Sequence, residues 1–146
     1  MSGQPTPEAR QDYDALLNAL MPFAEQMLKQ HGEFFPFGAA VNLTGEVTAH
    51  ATYDGNELPP SEEVIASLTK AFLSEAREGK IRAAGICYDG RIIQGDKKVD
   101  AVMMTMEHQS GNASKVCVPY TKGWFGKYNF GQMVAALEEP KIFVKA

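Results

Sequence analysis

The sequence predicts an α+β fold, with two helices and a mainly antiparallel sheet of about five strands. Apolar residues recur at helical spacing from Tyr13 to Leu28 and again from Val64 to Ala76. Strict alternation takes over in two other stretches, from Phe35 to Tyr53 and from Val99 to Thr121. Turn residues separate all of these runs. The expected order is α-β-β-α-β-β-β, followed by a short C-terminal element.

The first helix starts at Thr6-Pro7-Glu8, which supplies a capping hydroxyl, a proline at the first position and an acid for the positive helix end. Tyr13, Leu16, Leu17, Leu20, Ala24, Met27 and Leu28 form its stripe, and Gly32 stops it. Pro22 interrupts the pattern and predicts a kink or a split into two helices. Phe35, Phe37, Ala39, Val41 and Leu43 then read as a buried strand. Thr44-Gly45 turns the chain, and Val47, Ala49, Ala51 and Tyr53 alternate with polar residues as a half-buried return strand. Asp54 to Pro60 is a loop. Ser61, Glu62 and Glu63 open a second helix with the stripe Val64, Ile65, Leu68, Ala71, Phe72 and Ala76, ended by Gly79.

A strand from about Ile81 to Tyr88 follows. Asp89-Gly90 is either a tight turn or part of a longer strand reaching Ile93, and the pattern leaves both readings open. Val99–Gln109 and Ala113–Thr121 form a hairpin. A three-residue loop at Ser110-Gly111-Asn112 places Val102, Met104 and Met106 opposite Tyr120, Val118 and Val116, all on one face. It also sets Thr105 opposite Cys117 and Glu107 opposite Lys115, a favourable cross-strand charge pair. Phe130 to Leu137 reads as a short helix or an edge segment, and Ile142-Phe143-Val144 as a last packed stretch. The order of elements resembles that of profilin-like and roadblock-like domains, a likeness of topology alone, which implies helices covering one face of an antiparallel sheet.

With 146 residues, 45% of them hydrophobic and 22% charged, the chain suits a single domain spanning 1–146, with about residues 1–6 flexible. A core of that size needs neither a metal nor a disulfide staple. The net charge is −4, and the best basic pair, Lys97-Lys98, sits beside Asp96 and Asp100. Nucleic acid is therefore not an expected partner. No apolar run approaches the ~20 residues of a membrane span, and the start has neither a basic nor an apolar signal region. Cys87 and Cys117 lie in apolar runs without a C-x-x-C pair. A reducing, cytoplasmic setting is the expectation.

No catalytic constellation emerges. A Cys–His nucleophile would need Cys117 and His108 on one face, and the expected register separates them. Glu107 and His108 are neighbours in a strand and so point to opposite faces. His108 itself reads as a partly buried edge residue opposite Ser114. His31, His50 and His108 are too dispersed for metal-ligand spacing, so neither a metal nor a cofactor is expected. Cys87 has no nameable partner.

Two stretches stand out as recognition surfaces. Lys122-Gly123-Trp124-Phe125-Gly126-Lys127-Tyr128 is an aromatic turn flanked by glycines, and lacks the spacing of a phosphate loop. It is either a binding loop or a hairpin tip folding its aromatics over an open core end. Glu33-Phe34-Phe35-Pro36-Phe37 gathers aromatics at the start of a strand, where Pro36 suggests a bulge or a sheet edge. These lead to the expectation of a non-enzymatic interaction module, an adaptor, regulator or inhibitor. Its partner-binding residues would be Trp124, Phe125, Lys122, Tyr128, Tyr120, Glu107 and Phe34. The competing expectation is an enzyme or small-ligand binder with a pocket near Trp124, drawing on Glu33, Glu107, Tyr120, Lys122 and Tyr128. A purely structural subunit is the third. The sheet face carrying Met103, Thr105, Cys117 and Pro119 is neither strongly charged nor fully apolar, which suggests homodimerisation.

Overall fold

The computed structural model describes residues 5–50 and 61–144. The start at Met1–Gln4, the Ala51–Tyr53 end of the return strand and the 54–60 loop lie outside the described residues. The elements are α1 (Pro7–His31), β1 (Phe37–Asn42), β2 (Val47–His50), α2 (Ser61–Arg77), β3 (Ile81–Gln94), β4 (Lys97–His108), β5 (Ala113–Lys122), β6 (Tyr128–Phe130) and β7 (Val134–Leu137). All strand pairs are antiparallel, in the order β2-β1-β3-β4-β5-β6, with β7 also pairing β5.

Helix α1 begins as its cap residues dictate. Thr6 Oγ1 accepts the Ala9 N–H at 3.1 Å, and Gly32 closes the helix at φ 77° by donating its N–H to Leu28 O. The helix runs unbroken past Pro22. Pro22 and Asn18 are both exposed, so the Asn18 carbonyl deprived of its partner faces water. The buried stripe is Ala9, Asp12, Tyr13, Leu16, Leu20, Ala24 and Leu28.

The helices take opposite faces of the sheet, where the resemblance to profilin-like and roadblock-like domains implied one. Alternation sends Ala39, Val41, Ala83, Cys87, Val102, Met104, Met106, Val116, Val118 and Tyr120 towards α1. Ala40, Ala84 and Ile86 face α2, where they meet Val64, Leu68, Phe72 and Ile142. Strands β1 and β3 are thus buried on both sides, which is why their central runs carry small residues. At Gly38 a β-carbon would lie 2.7 Å from the Phe72 ring. Pro36 only precedes β1, which sits inside the sheet between β2 and β3, not at an edge. Strand β2 is the outer one, and Val47, Thr48 and Ala49 are exposed instead of half-buried.

Strand β3 continues through Asp89-Gly90 to Gln94, and the turn falls at Gly95-Asp96. Gly90 allows the Met103 side chain to cross, since a β-carbon there would lie 2.7 Å from Met103 Cγ. The β4–β5 hairpin keeps the expected faces but a different register. Val102 stands opposite Val118, Met104 opposite Val116, and Glu107 opposite Ala113. Lys115 faces Thr105, so the expected Glu107–Lys115 pair does not form, and Cys117 faces Met103. The loop is Gln109–Gly111, closed by the His108 N–H donating to Asn112 O at 3.0 Å. The segment after Phe130 is extended: β6 and β7 lie along the same edge of β5, so the helical alternative for Phe130–Leu137 is not adopted.

Candidate functional site

The most exposed aromatics among the described residues form the tip between β5 and β6. Lys122 pairs with Tyr128 at its base, and the Gly123 N–H donates to Lys127 O at 2.6 Å. A single 3₁₀ turn, Trp124–Gly126, crosses the top. Phe125 has φ 60° and ψ 32°, the left-handed conformation that side-chain-bearing residues avoid, and Gly126 follows at φ 74°. Trp124 is 86% exposed and Phe125 98%. The aromatics therefore do not fold over the core end; they stand in water. Lys122 and Lys127 flank them and are exposed as well.

Below the tip, on the α1 face, Tyr120 packs against Tyr128 at 5.8 Å and Phe130 at 6.2 Å between ring centroids. The Tyr120 hydroxyl donates to Asp89 Oδ1 at 2.7 Å. Burial raises the Asp89 carboxyl above its ordinary range. The Tyr120 hydrogen bond works against that shift, while the charges of Asp100 and Glu33 add to it. Burial and the bond to Asp89 likewise push the Tyr120 phenol up. A carboxyl whose folded pKa exceeds its unfolded one favours folding in its protonated form. Its contribution is present below the ordinary value of about 4 and is lost as pH rises through the elevated folded value. Asp89→Asn keeps an oxygen for Tyr120 and removes the charge. Urea midpoints followed from about pH 3.5 to 7 are expected to fall in the wild type relative to the variant. Parallel profiles would contradict this account.

The structure brings together Lys122, Trp124, Phe125, Tyr128 and Tyr120, with Glu33 close enough to act on Asp89. It does not bring Glu107 to them. Phe34 is buried against Phe37, with ring centroids 5.8 Å apart, as part of the α1-side core. Glu107 is buried on the opposite sheet face, where its Oε1 accepts the backbone N–H groups of Lys141, Ile142 and Phe143 at 2.9, 2.8 and 3.1 Å. Such a run of successive N–H groups makes a concave anion seat. Its occupant is the protein's own carboxylate, bordering a cavity of about 200 Å³ that Thr105, Lys115 and Glu138 also line.

A second polar cluster escaped the sequence reading. Asp12 is buried and receives Arg82 in a bidentate pair, Nε to Oδ2 at 3.0 Å and Nη2 to Oδ1 at 2.9 Å. His108 is buried beside it rather than partly exposed opposite Ser114, with Nε2 at 3.2 Å from Asp12 Oδ2. That contact is close but misaligned, so Nε2 has no formed hydrogen bond. Ser110 lies on the other side of the ring, Oγ at 2.9 Å and N at 3.1 Å from Nδ1.

A Ser–His–Asp set invites comparison with nucleophilic triads, but its bonding points elsewhere. The Ser110 backbone N–H already occupies the Nδ1 lone pair, which assigns the ring proton to Nε2. Arg82 occupies both Asp12 oxygens. The set locks a turn: together with Tyr13, whose hydroxyl donates to Asn112 at 2.6 Å, it pins α1 to the β4–β5 loop. The sequence signal was Asp12 lying at helical spacing between Ala9 and Leu16, on the buried face.

Among the described residues, no group of three or more His, Cys, Asp and Glu converges as a metal site, and no helix is long and apolar enough to cross a membrane. The Cys87 thiol is buried, which raises its pKa, and Asp89 adds to the effect; the thiol is correspondingly unreactive. Comparison with known proteins returns no matching family model, no matching curated protein and no matching solved structure.

Proposed function

We propose that this protein is a non-enzymatic interaction module, an adaptor, regulator or inhibitor, that recognises a protein partner through the Trp124–Phe125 tip. One observation carries the reading: Phe125 holds a left-handed backbone at φ 60° while its ring is 98% exposed. Left-handed backbone costs a side-chain-bearing residue roughly 1–2 kcal/mol. No packing among the described residues offsets that cost, because the ring touches water. Strain retained without a folding benefit is what a binding site accumulates. Rigid aromatics at a tip bury much area with little rotamer entropy lost, and they dominate the energetics of protein interfaces.

The test is affinity capture with the wild type and a Trp124→Ala/Phe125→Ala double variant. The variant should match the wild type in folding stability within about 0.5 kcal/mol, as exposed residues do. Its affinity for a specifically captured protein should fall at least about 30-fold, the loss of roughly 2 kcal/mol or more expected for an interface hot spot. Equal recovery of every captured protein would remove the proposal.

A second reading, a small-ligand binder beside the tip, is favoured by Asp89, Glu33, Tyr120, Tyr128 and Phe130. Carboxylates among aromatic rings suit an organic cation. A thermal-shift series with quaternary ammonium compounds distinguishes it, since a bound cation raises the melting temperature.

A further inference from the structure

The β7 edge of the sheet is short but apolar and exposed along its whole length. Met133-Val134-Ala135-Ala136-Leu137 is an unbroken apolar run. Met133 is 45% exposed, Val134 55% and Leu137 69%, and all four residues of β7 are exposed. Its inner side pairs with β5, Leu137 opposite Ser114 and Val134 opposite Cys117. The Glu138 N–H bonds to Ala113 O at 3.1 Å. By strand alternation the backbone groups of Val134 and Ala136 also face β5, and those of Ala135 and Leu137 face outward, while the register against β5 slips by one residue between Gly131 and Val134, which puts Met133 in a bulge just before the strand. No lysine or proline interrupts the row from Val134 to Leu137, and such a row templates another strand.

We propose that β7 is a homodimerisation edge, pairing antiparallel with β7 of a second copy of this chain about a two-fold axis at Ala135. The register follows from the outward row. Ala135 faces Ala135 of the second copy, Val134 faces Ala136, and Leu137 lies towards the Met133 bulge, so every contact is apolar. The acidic Glu138 and Glu139 then fall beyond the bulge of the second copy, outside the apolar pairs. Centring the axis one residue later, on Ala136, keeps the outward groups in step but sets Glu138 against Val134 and Glu139 against Met133. The strand therefore matches itself in one arrangement and places its acids at opposite ends of the joint.

This goes beyond recognition at the tip and does not depend on it. Tyr128, at the base of the tip, is seven residues from Ala135, so at about 3.3 Å per residue the two tips would stand roughly 50 Å apart at opposite ends of one continuous sheet. A dimer would present them bivalently. It also relocates the self-association expected from the Met103 and Pro119 face, since both of those residues are buried.

A strand of four residues buries an area at the low end of specific interfaces, so the association is expected in the micromolar range, and sedimentation should span about 1 to 300 µM. The expected result is a mass rising from 16.0 kDa towards twice that value. Leu137→Lys should weaken association at least tenfold by placing a charge on the edge. Ala135→Pro should do the same by deleting an outward N–H that the β5 ladder does not use. In a Cys117→Ser background, Ala135→Cys should cross-link two chains on mild oxidation and Met133→Cys should not, because only position 135 meets its own copy. A 16.0 kDa species throughout the range would overturn the proposal. So would a dimer that both edge variants leave intact, or equal cross-linking at positions 133 and 135.

Discussion

Asp12→Ala is expected to destabilise the protein by about 3 kcal/mol, the cost of removing one partner from a buried ion pair. The carboxylate takes two guanidinium bonds from Arg82 and borders the buried Nε2 of His108. Without it, the partly buried Arg82 guanidinium loses both of its carboxylate bonds. For a chain of this length that loss should lower the melting temperature by roughly 10 °C. Asp12→Asn should cost less, because the amide oxygen still accepts one Arg82 bond. A midpoint for Asp12→Ala within about 1 kcal/mol of the wild type in urea unfolding would show that the cluster does not hold α1 to the hairpin.

Glu107→Ala acts at the other face of the sheet, with an expected loss of about 2–3 kcal/mol. Three backbone donors, from Lys141, Ile142 and Phe143, would lose their common acceptor, and Ile142 is buried against α2. The damage should be local as well as global: amide hydrogen exchange at 141–143 should accelerate beyond the global loss, as the segment detaches on its own. Glu107→Gln retains a carbonyl oxygen and should lie between the two. Unchanged exchange at these three amides in the alanine variant would contradict the clamp.

Both sites show what periodicity conveys and what it omits. The even-numbered residues of β4 and β5 share the α1 face as alternation requires, yet their partners are shifted by two positions from the expected ones. A shift of two preserves every face, so the apolar pattern is blind to it. The register is set by His108, whose ring accepts the Ser110 N–H and closes the loop one residue earlier at each end. That bond between side chain and backbone leaves no periodic trace. Asp89-Gly90 remained open for a similar reason. The pair has turn chemistry, but Asp89 is held by Tyr120 and Gly90 admits Met103, contacts from strands distant in sequence.

The tip was legible as a loop from its glycines and aromatics. The side to which its rings turned was not, because a left-handed Phe125 is a backbone state that no local rule requires. Glu107 looked like a charge partner for Lys115, and only the path of the C-terminal segment reveals its actual task. Phe34 read as core more readily than as groove, and its packing on Phe37 makes it core.

Trp124 is the single tryptophan of the chain, so intrinsic fluorescence reports on the tip alone. The direct measurement is the emission maximum and acrylamide quenching of Trp124 during titration with a captured partner. The account expects water-exposed, readily quenched emission in the free protein, moving to shorter wavelength and losing quenching as the complex saturates. A saturated complex whose tryptophan emission and quenching equal those of the free protein would mean that the partner binds elsewhere.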